Sequence, residues 1–390
     1  METQSGGFYQ LAALSCKKRL YSQALEFIDK SLIYNWHNMN ARTLKAAILR
    51  ALERDTKSFL AESLEIDPLS MGCLYENAKA ENDMDAWVNV MRSPSHNYLE
   101  LSLLYMKAGF YQDAADILEA SPEKTPMTFY YQGFVFTEMQ DNEKAAAAFM
   151  KAEKANPDYC FPNKAEEIVI LQRAVKVLGT APYAHYYLGL LFYDKKQYAA
   201  AAAQWETSVQ EDGTYAMPYR NLAIAYYNKE KDPAKALDVM KKALELDPSY
   251  PRFLQEYDQL LAKNNVSVKE RLSVLEQYPH LLEERDVLYL EYITLLNKTG
   301  QYDKALACLK GHIFHPWEGG EGKVSGQYRY ALTEKALQEM DAGNYRDAIR
   351  LLTDTFTYPD NLGEGKLPNV QDNMAEYYIG RCYEAMGEQE

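Results

Sequence analysis

The chain has little that would staple it, anchor it in a bilayer or draw it to a polyanion. Its five cysteines (Cys16, Cys73, Cys160, Cys308 and Cys382) are odd in number, lie 57 to 148 residues apart and form no CxxC pair. That spacing supports neither a disulfide framework nor a zinc ribbon, so the thiols are expected as small buried apolar side chains. No apolar run reaches the length of a membrane-spanning helix. The opening Met1-Glu2-Thr3-Gln4 carries no positive charge, so no signal peptide is expected there. Positive charge is itself in deficit: 42 Lys and Arg against 56 Asp and Glu leave a net charge of −14. A field of that sign repels a phosphate backbone. Neither nucleic acid nor a membrane is therefore expected as partner, and a reduced, cytoplasmic setting is. The six histidines (His37, His96, His185, His280, His312, His315) are scattered, and no serine or cysteine nucleophile motif occurs. Carboxylates sit mostly among lysines on helix faces, as in Asp238–Lys242, so an enzyme is not expected.

What the chain does have is tyrosine, 32 residues of it, and a repeat. Between Thr128 and Pro157, Phe129, Gln132-Gly133 and Phe136 are followed by Ala145, Phe149 and Ala152. Each half places apolar or small residues on one face of a helix, and Asp141-Asn142 between them is turn chemistry. The same unit returns as His185, Leu188-Gly189, Phe192, Tyr198, Ala201, Trp205, then as Tyr219, Leu222-Ala223, Tyr226, Ala236, Met240, Ala243 and Pro248. Tyr98, Leu101, Tyr105, Gly109, Tyr111, Ala114 fit it, as do Tyr289, Tyr292, Leu296, Gly300, Tyr302, Ala305. Fainter copies begin at Tyr21, at Gly343-Asn344-Tyr345 and at Glu376, and Asn163–Leu178 reads as an additional helix. Small residues at Gly133, Gly189, Gly380, Ala201 and Ala305 are expected where paired helices approach most closely. Prolines 157 and 248 would stop the second helix of their units.

These residues resemble the tetratricopeptide repeat over most of the chain, most strongly at 98–157 and 183–250 and only loosely at 40–68 and 253–279. The resemblance implies an all-α, right-handed superhelical solenoid of antiparallel helix pairs. It is expected as one array over 1–390: N-terminal repeats to 160, central repeats over 161–310 and C-terminal repeats over 311–390. The two loose stretches are candidates for kinks dividing it into blocks. A solenoid offers an extended concave surface rather than a closed enzyme pocket. Positions that line the groove in the family correspond here to Tyr130, Tyr183, Tyr186, Tyr193, Arg220, Tyr227, Tyr377 and Arg381. Tyrosine combines a large apolar face with a hydroxyl and suits recognition of a protein segment. The same tyrosines serve equally well as packing between repeats. Arg220-Asn221 is the lone fragment of the carboxylate-gripping pattern that some such grooves carry.

Two loops interrupt the helical rhythm. His315-Pro316-Trp317-Glu318-Gly319-Gly320-Glu321-Gly322-Lys323 and Tyr358-Pro359-Asp360-Asn361-Leu362-Gly363-Glu364-Gly365-Lys366 align without a gap, 43 residues apart. Neither is a phosphate-binding loop: Trp317 stands where the first glycine belongs, and Val324 and Leu367 replace the magnesium-holding Ser or Thr. His312, His315 and Glu318 lack a fourth ligand and are interrupted by Pro316, so no metal or cofactor is expected. The loops read either as inter-repeat connections shaped by glycine or as a docking surface presenting His315, Trp317, Glu321, Lys323, Glu364 and Lys366. Residues 290–390, through these loops, are similar to the C-terminal repeat region of large bacterial proteins with a sugar-enzyme-like, β-rich N-terminal domain. That likeness implies a bacterial chain that is the repeat portion of such a protein, partnered by a protein segment or by the absent domain. The function expected is a non-catalytic interaction scaffold. The alternative is an accessory module of a carbohydrate-active protein, its groove or Gly-rich loops contacting a glycan or a catalytic-type domain.

Overall fold

A computed structural model describes residues 2–315 and 317–388, and among them there is helix, turn and loop but no strand. The chain divides into two compact units, with the boundary between Asp212 and Gly213. The first contains α1 (Glu2–Lys17), α2 (Tyr21–Tyr34), α3 (Met39–Ala51), α4 (Lys57–Ile66), α5 (Met71–Glu81), α6 (Asp85–Met91) and α7 (Ser95–Ala108). It continues through α8 (Tyr111–Ala120), α9 (Pro126–Glu138), α10 (Asn142–Lys154), α11 (Ala165–Leu178), α12 (Pro182–Asp194) and α13 (Tyr198–Glu211). The second contains α14 (Ala216–Ala225), α15 (Pro233–Leu246), α16 (Pro251–Lys263), α17 (Val268–Leu275) and a single turn, α18 (Pro279–Leu282). After these come α19 (Asp286–Lys298), α20 (Tyr302–Gly311), α21 (Lys323–Asp341), α22 (Tyr345–Asp354) and α23 (Asn373–Met386). Each unit is a solenoid block of antiparallel helix pairs packed on their sequence neighbours. The loosely patterned stretches at 40–68 and 253–279 fold as helix pairs α3–α4 and α16–α17 inside their units and do not divide the chain.

The pairs close where the small residues predict. A Cβ on Gly133 would lie 2.5 Å from the Phe149 ring, and one on Gly189 would lie 2.2 Å from the Trp205 indole. The indole N–H donates to the Tyr186 carbonyl at 3.1 Å, fixing the ring in that gap. Ala201 and Ala305 are fully buried in the same manner. Gly380 departs from this expectation: nothing lies within 4 Å of where its Cβ would sit, because α23 packs on α22 through Ala375, Tyr378, Ile379 and Cys382 instead. In the Gly-x-Tyr corners the glycine takes left-handed backbone, φ +79° at Gly109 and +78° at Gly300, which lets the chain reverse between paired helices.

The first unit curls until α1 meets α7, so that Cys16 and Ala108 share one apolar cluster with Ala12, Ile28 and Leu44. Between α3, α5, α7 and α8 lies a buried polar net. The Arg50 fork donates to both oxygens of Glu76 at 2.8 and 2.9 Å and stands 3.1 Å from Asp113. Tyr105 and Tyr75 donate their hydroxyls to Glu76 and Asp113. Tyr111 to Glu138, Tyr130 to Glu153 and Tyr131 to Glu167 repeat the theme along the unit. Much of the tyrosine excess is thus interior: the ring fills the space between repeats and the hydroxyl satisfies a carboxylate from the neighbouring helix.

Candidate functional site

Several clefts among the described residues offer side chains to a ligand, and the eight groove positions expected from the sequence are divided among more surroundings than one. Tyr130 is 0% exposed; its hydroxyl donates to Glu153 at 2.6 Å and its ring meets Tyr187 edge-on. Burial, then the neighbouring Glu153 charge, raises its pKa far above the ordinary tyrosine value. Tyr186 is 3% exposed and packs on Tyr187. These two are interior side chains, which corrects their placement on a groove: the close approach of α9, α10 and α12 leaves no solvent-facing side at either ring. Tyr183 is half-buried and donates its backbone N–H to Glu153, and the half-buried Tyr193 packs against Tyr198 and Trp205. Arg220 is spoken for by its own chain. Its Nε and Nη2 donate to the two oxygens of Glu256 at 2.7 and 2.6 Å, so its fork already holds a carboxylate.

Tyr227 reaches a site. With Ile224, Met240, Leu260 and Lys263 it lines a cavity of about 300 Å³ in the second unit, and the Lys263 ammonium lies 4.7 Å from its ring centroid. Tyr377 is 57% exposed on α23 and accepts a hydrogen bond from Arg381 Nη1 at 3.1 Å; Arg381 is exposed as well.

The larger groove belongs to the first unit, and its residues were not among those expected. A cleft of about 550 Å³ runs across the first helices of successive pairs, lined by Tyr9 of α1, Asn40 and Thr43 of α3, Met71 of α5, and Leu101 and Leu104 of α7. Two ion pairs close one wall, Lys164 to Glu100 and Lys107 to Glu166, each at 2.5 Å, joining α7 to the start of the additional helix α11. The hydrogen bond from Lys107 holds the Glu166 carboxyl below the usual range. Burial, with Cys16 nearby, pushes the Tyr9 phenol up to about 12, so it meets a ligand as a neutral hydroxyl. A signal for this groove was present in the sequence: Glu100, Leu103, Leu104 and Lys107 form a second stripe at helical spacing on α7, beside the Tyr98–Leu101–Tyr105 stripe that packs the repeat.

The two glycine-rich loops lie against each other in the second unit. Asn361 accepts the Phe314 N–H at its carbonyl, and its side-chain amide donates to the carbonyls of Leu309 and His312, both at 2.7 Å. Glu364 is not presented outward as expected. Its two oxygens accept the backbone N–H groups of Gly322 and Ser325, each at 2.7 Å, and so cap the start of α21. Lys366 is exposed but paired with Asp372, while Lys323 and Glu321 are exposed. His315 is tied to Asp286, which also accepts from His312 at 2.8 Å. Burial works to raise the Asp286 pKa, but these histidine hydrogen bonds outweigh it and hold the carboxyl below its usual value. Trp317 packs over Gly320 and forms one wall of a cleft of about 290 Å³. Among the described residues no group of three or more His, Cys, Asp or Glu side chains is arranged to hold a metal ion, and no helix is long and apolar enough to cross a membrane.

Several solved structures align with the chain at low identity. MamA from Desulfovibrio magneticus RS-1 is 19% identical over 50% of this chain and 99% of its own, with a TM-score of 0.29. YrrB, described as a TPR protein with an unusual peptide-binding site, is 18% identical over 59% of this chain and 96% of its own, with a TM-score of 0.24. Yeast Tom70 is 14% identical over 99% of this chain and 90% of its own, with a TM-score of 0.30. Residues 170–216, from within α11 through α12 and α13 to the start of α14, match the family model of the tetratricopeptide repeat.

Proposed function

We propose that the chain is a non-catalytic protein-interaction scaffold that holds an extended segment of a partner in the groove of its first unit. The observation that carries this is the 550 Å³ cleft itself, which runs across α1, α3, α5 and α7 rather than into a single pair. Its wall mixes apolar contacts (Met71, Leu101, Leu104) with amide, hydroxyl and charged groups (Asn40, Thr43, Lys107), as main-chain and side-chain recognition of a peptide requires. The match of 170–216 to the tetratricopeptide repeat supports the same reading. The tyrosines named from the sequence serve mainly to fix the pairs, and Tyr227, Tyr377 and Arg381 remain as secondary contact points.

Capture of partners from a bacterial lysate tests the groove. Asn40→Arg and Leu69→Arg, at exposed positions on its rim, fill the cleft without touching the core. A protein retained by the intact chain and lost from both variants, with helical circular dichroism unchanged, is the expected outcome. Equal retention by all three proteins would move the binding site away from this groove. A second reading, an accessory module contacting a glycan, draws on the indole of Trp317, which lines a cleft with Glu318 and Glu321.

A further inference from the structure

We propose that the cleft between the two glycine-rich loops is an anchor for a basic side chain, arginine or lysine, presented by a protein partner. The inference rests on the scaffold reading only for the source of that cation; the cleft and its chemistry stand by themselves. The wall is apolar: Phe314, Trp317, Val324, Leu362 and Leu367 surround a space of about 290 Å³. The charged groups lining it are carboxylates, Glu318, Glu321 and Glu364, together with His315, and no lysine or arginine is among them. Glu364 is committed to the α21 backbone, which leaves the exposed Glu318 and Glu321 to face a ligand. The lysine of the second loop, Lys366, is turned to Asp372, a carboxylate it shares with Arg329.

An apolar slot edged by carboxylates, with an indole as one wall, matches a side chain that is aliphatic along its stem and cationic at its tip. The stem is buried against Val324, Leu362 and Leu367, the cation lies over the Trp317 face, and the two carboxylates take its N–H groups. The site is built before any ligand arrives. Gly320 admits the indole above it, since a Cβ there would lie 2.2 Å from the ring, and its N–H donates to the Trp317 carbonyl at 2.9 Å. Asn361 and Glu364 hold the opposite loop in place. Little ordering is left to do on binding. A sugar would need hydrogen-bonding groups distributed along the wall, whereas Phe314, Trp317, Val324, Leu362 and Leu367 make this wall apolar.

The test uses the whole chain labelled with 5-fluorotryptophan, the Trp317 resonance being assigned by its loss in Trp317→Phe. An acetylated, amidated Gly-Arg-Gly peptide is titrated beside its citrulline twin, which keeps the shape and removes the charge. The expected result is a saturable shift of the Trp317 resonance by the arginine peptide, with citrulline weaker by about tenfold. In Glu318→Gln/Glu321→Gln that preference disappears. Equal binding of the two peptides to the intact chain would overturn the proposal in favour of an apolar occupant. A shift with a neutral disaccharide but not with arginine would replace it with the glycan reading, and no shift with any of the three would remove the site. Asn40→Arg, in the first unit, leaves this titration unchanged. Capture retained by Asn40→Arg with the titration intact therefore refutes the scaffold groove alone, and capture lost in that variant with no arginine-dependent shift in the intact chain refutes the anchor alone.

Discussion

Gly189 and Gly380 stand at the same place in the repeat, yet a methyl group added to each has opposite consequences. At Gly189 it would collide with a buried indole whose N–H is already committed to Tyr186. Gly189→Ala should lower stability by about 1–3 kcal/mol, the cost of overpacking a core. At Gly380 it meets open space within a helix, so Gly380→Ala should raise stability by about 0.5–1 kcal/mol. Urea denaturation of both variants checks the pair, and a like sign for both would remove the packing explanation. Glu256 sets a pH dependence at this scale. Burial works to raise its pKa, but the Arg220 fork and Arg252 outweigh it and hold the folded value below the ordinary 4.5. A carboxyl depressed on folding adds stability that is complete above its unfolded pKa and lost as the pH falls through the folded one. Melting temperatures of wild type and Glu256→Gln should therefore converge as the solution is acidified below about pH 4.5; a constant gap would contradict the ion pair. The sequence shows that tyrosines recur but not which side of each is covered. Tyr130 and Tyr227 are both expected on the groove from the sequence, and they differ because Glu153 comes from another helix 23 residues away while Tyr227 borders a cavity.

Helix boundaries follow from local chemistry and are legible; what holds one element to another often is not. The additional helix expected over 163–178 is α11, and the helices of each strong repeat lie where period and turn residues place them. The cap of α21 could not be read in this way, because Glu364 lies 42 and 39 residues from the N–H groups it satisfies. Similar sequence also hid unlike roles. The aligned Glu321 accepts the Gly319 N–H within its own loop, whereas Glu364 joins loop to helix. Glu364→Ala should cost about 1 kcal/mol, as loss of an N-terminal cap does. Hydrogen exchange should speed up at Gly322 and Ser325 first, and protection unchanged at both amides would show that the carboxylate does not hold the helix start.

At the scale of the molecule, repetition conceals its own boundary. The pattern is strong over 98–157 and 183–250, and the division at Asp212 and Gly213 falls within the second stretch, since a helix-pair motif records the packing inside each pair and not how densely successive pairs are joined. Each unit has its own core, so fragments 1–212 and 213–390 should each retain helical circular dichroism and a cooperative melt when made separately. Collapse of either would show that its core depends on the other. The second unit also contains a clasp whose effect is on time rather than on strength. Asn361 reaches the carbonyls of Leu309 and His312 across 52 and 49 residues, enclosing α21 and α22 within one chain closure. In the rest of this unit a pair forms from neighbours and can zip along the array, whereas this closure joins chain ends across two enclosed helices, and contacts of long sequence separation form slowly. The loops that frame the Trp317 cleft are thus expected to assemble late in their unit, so that a nascent or partly unfolded chain should have its helices before it has that site.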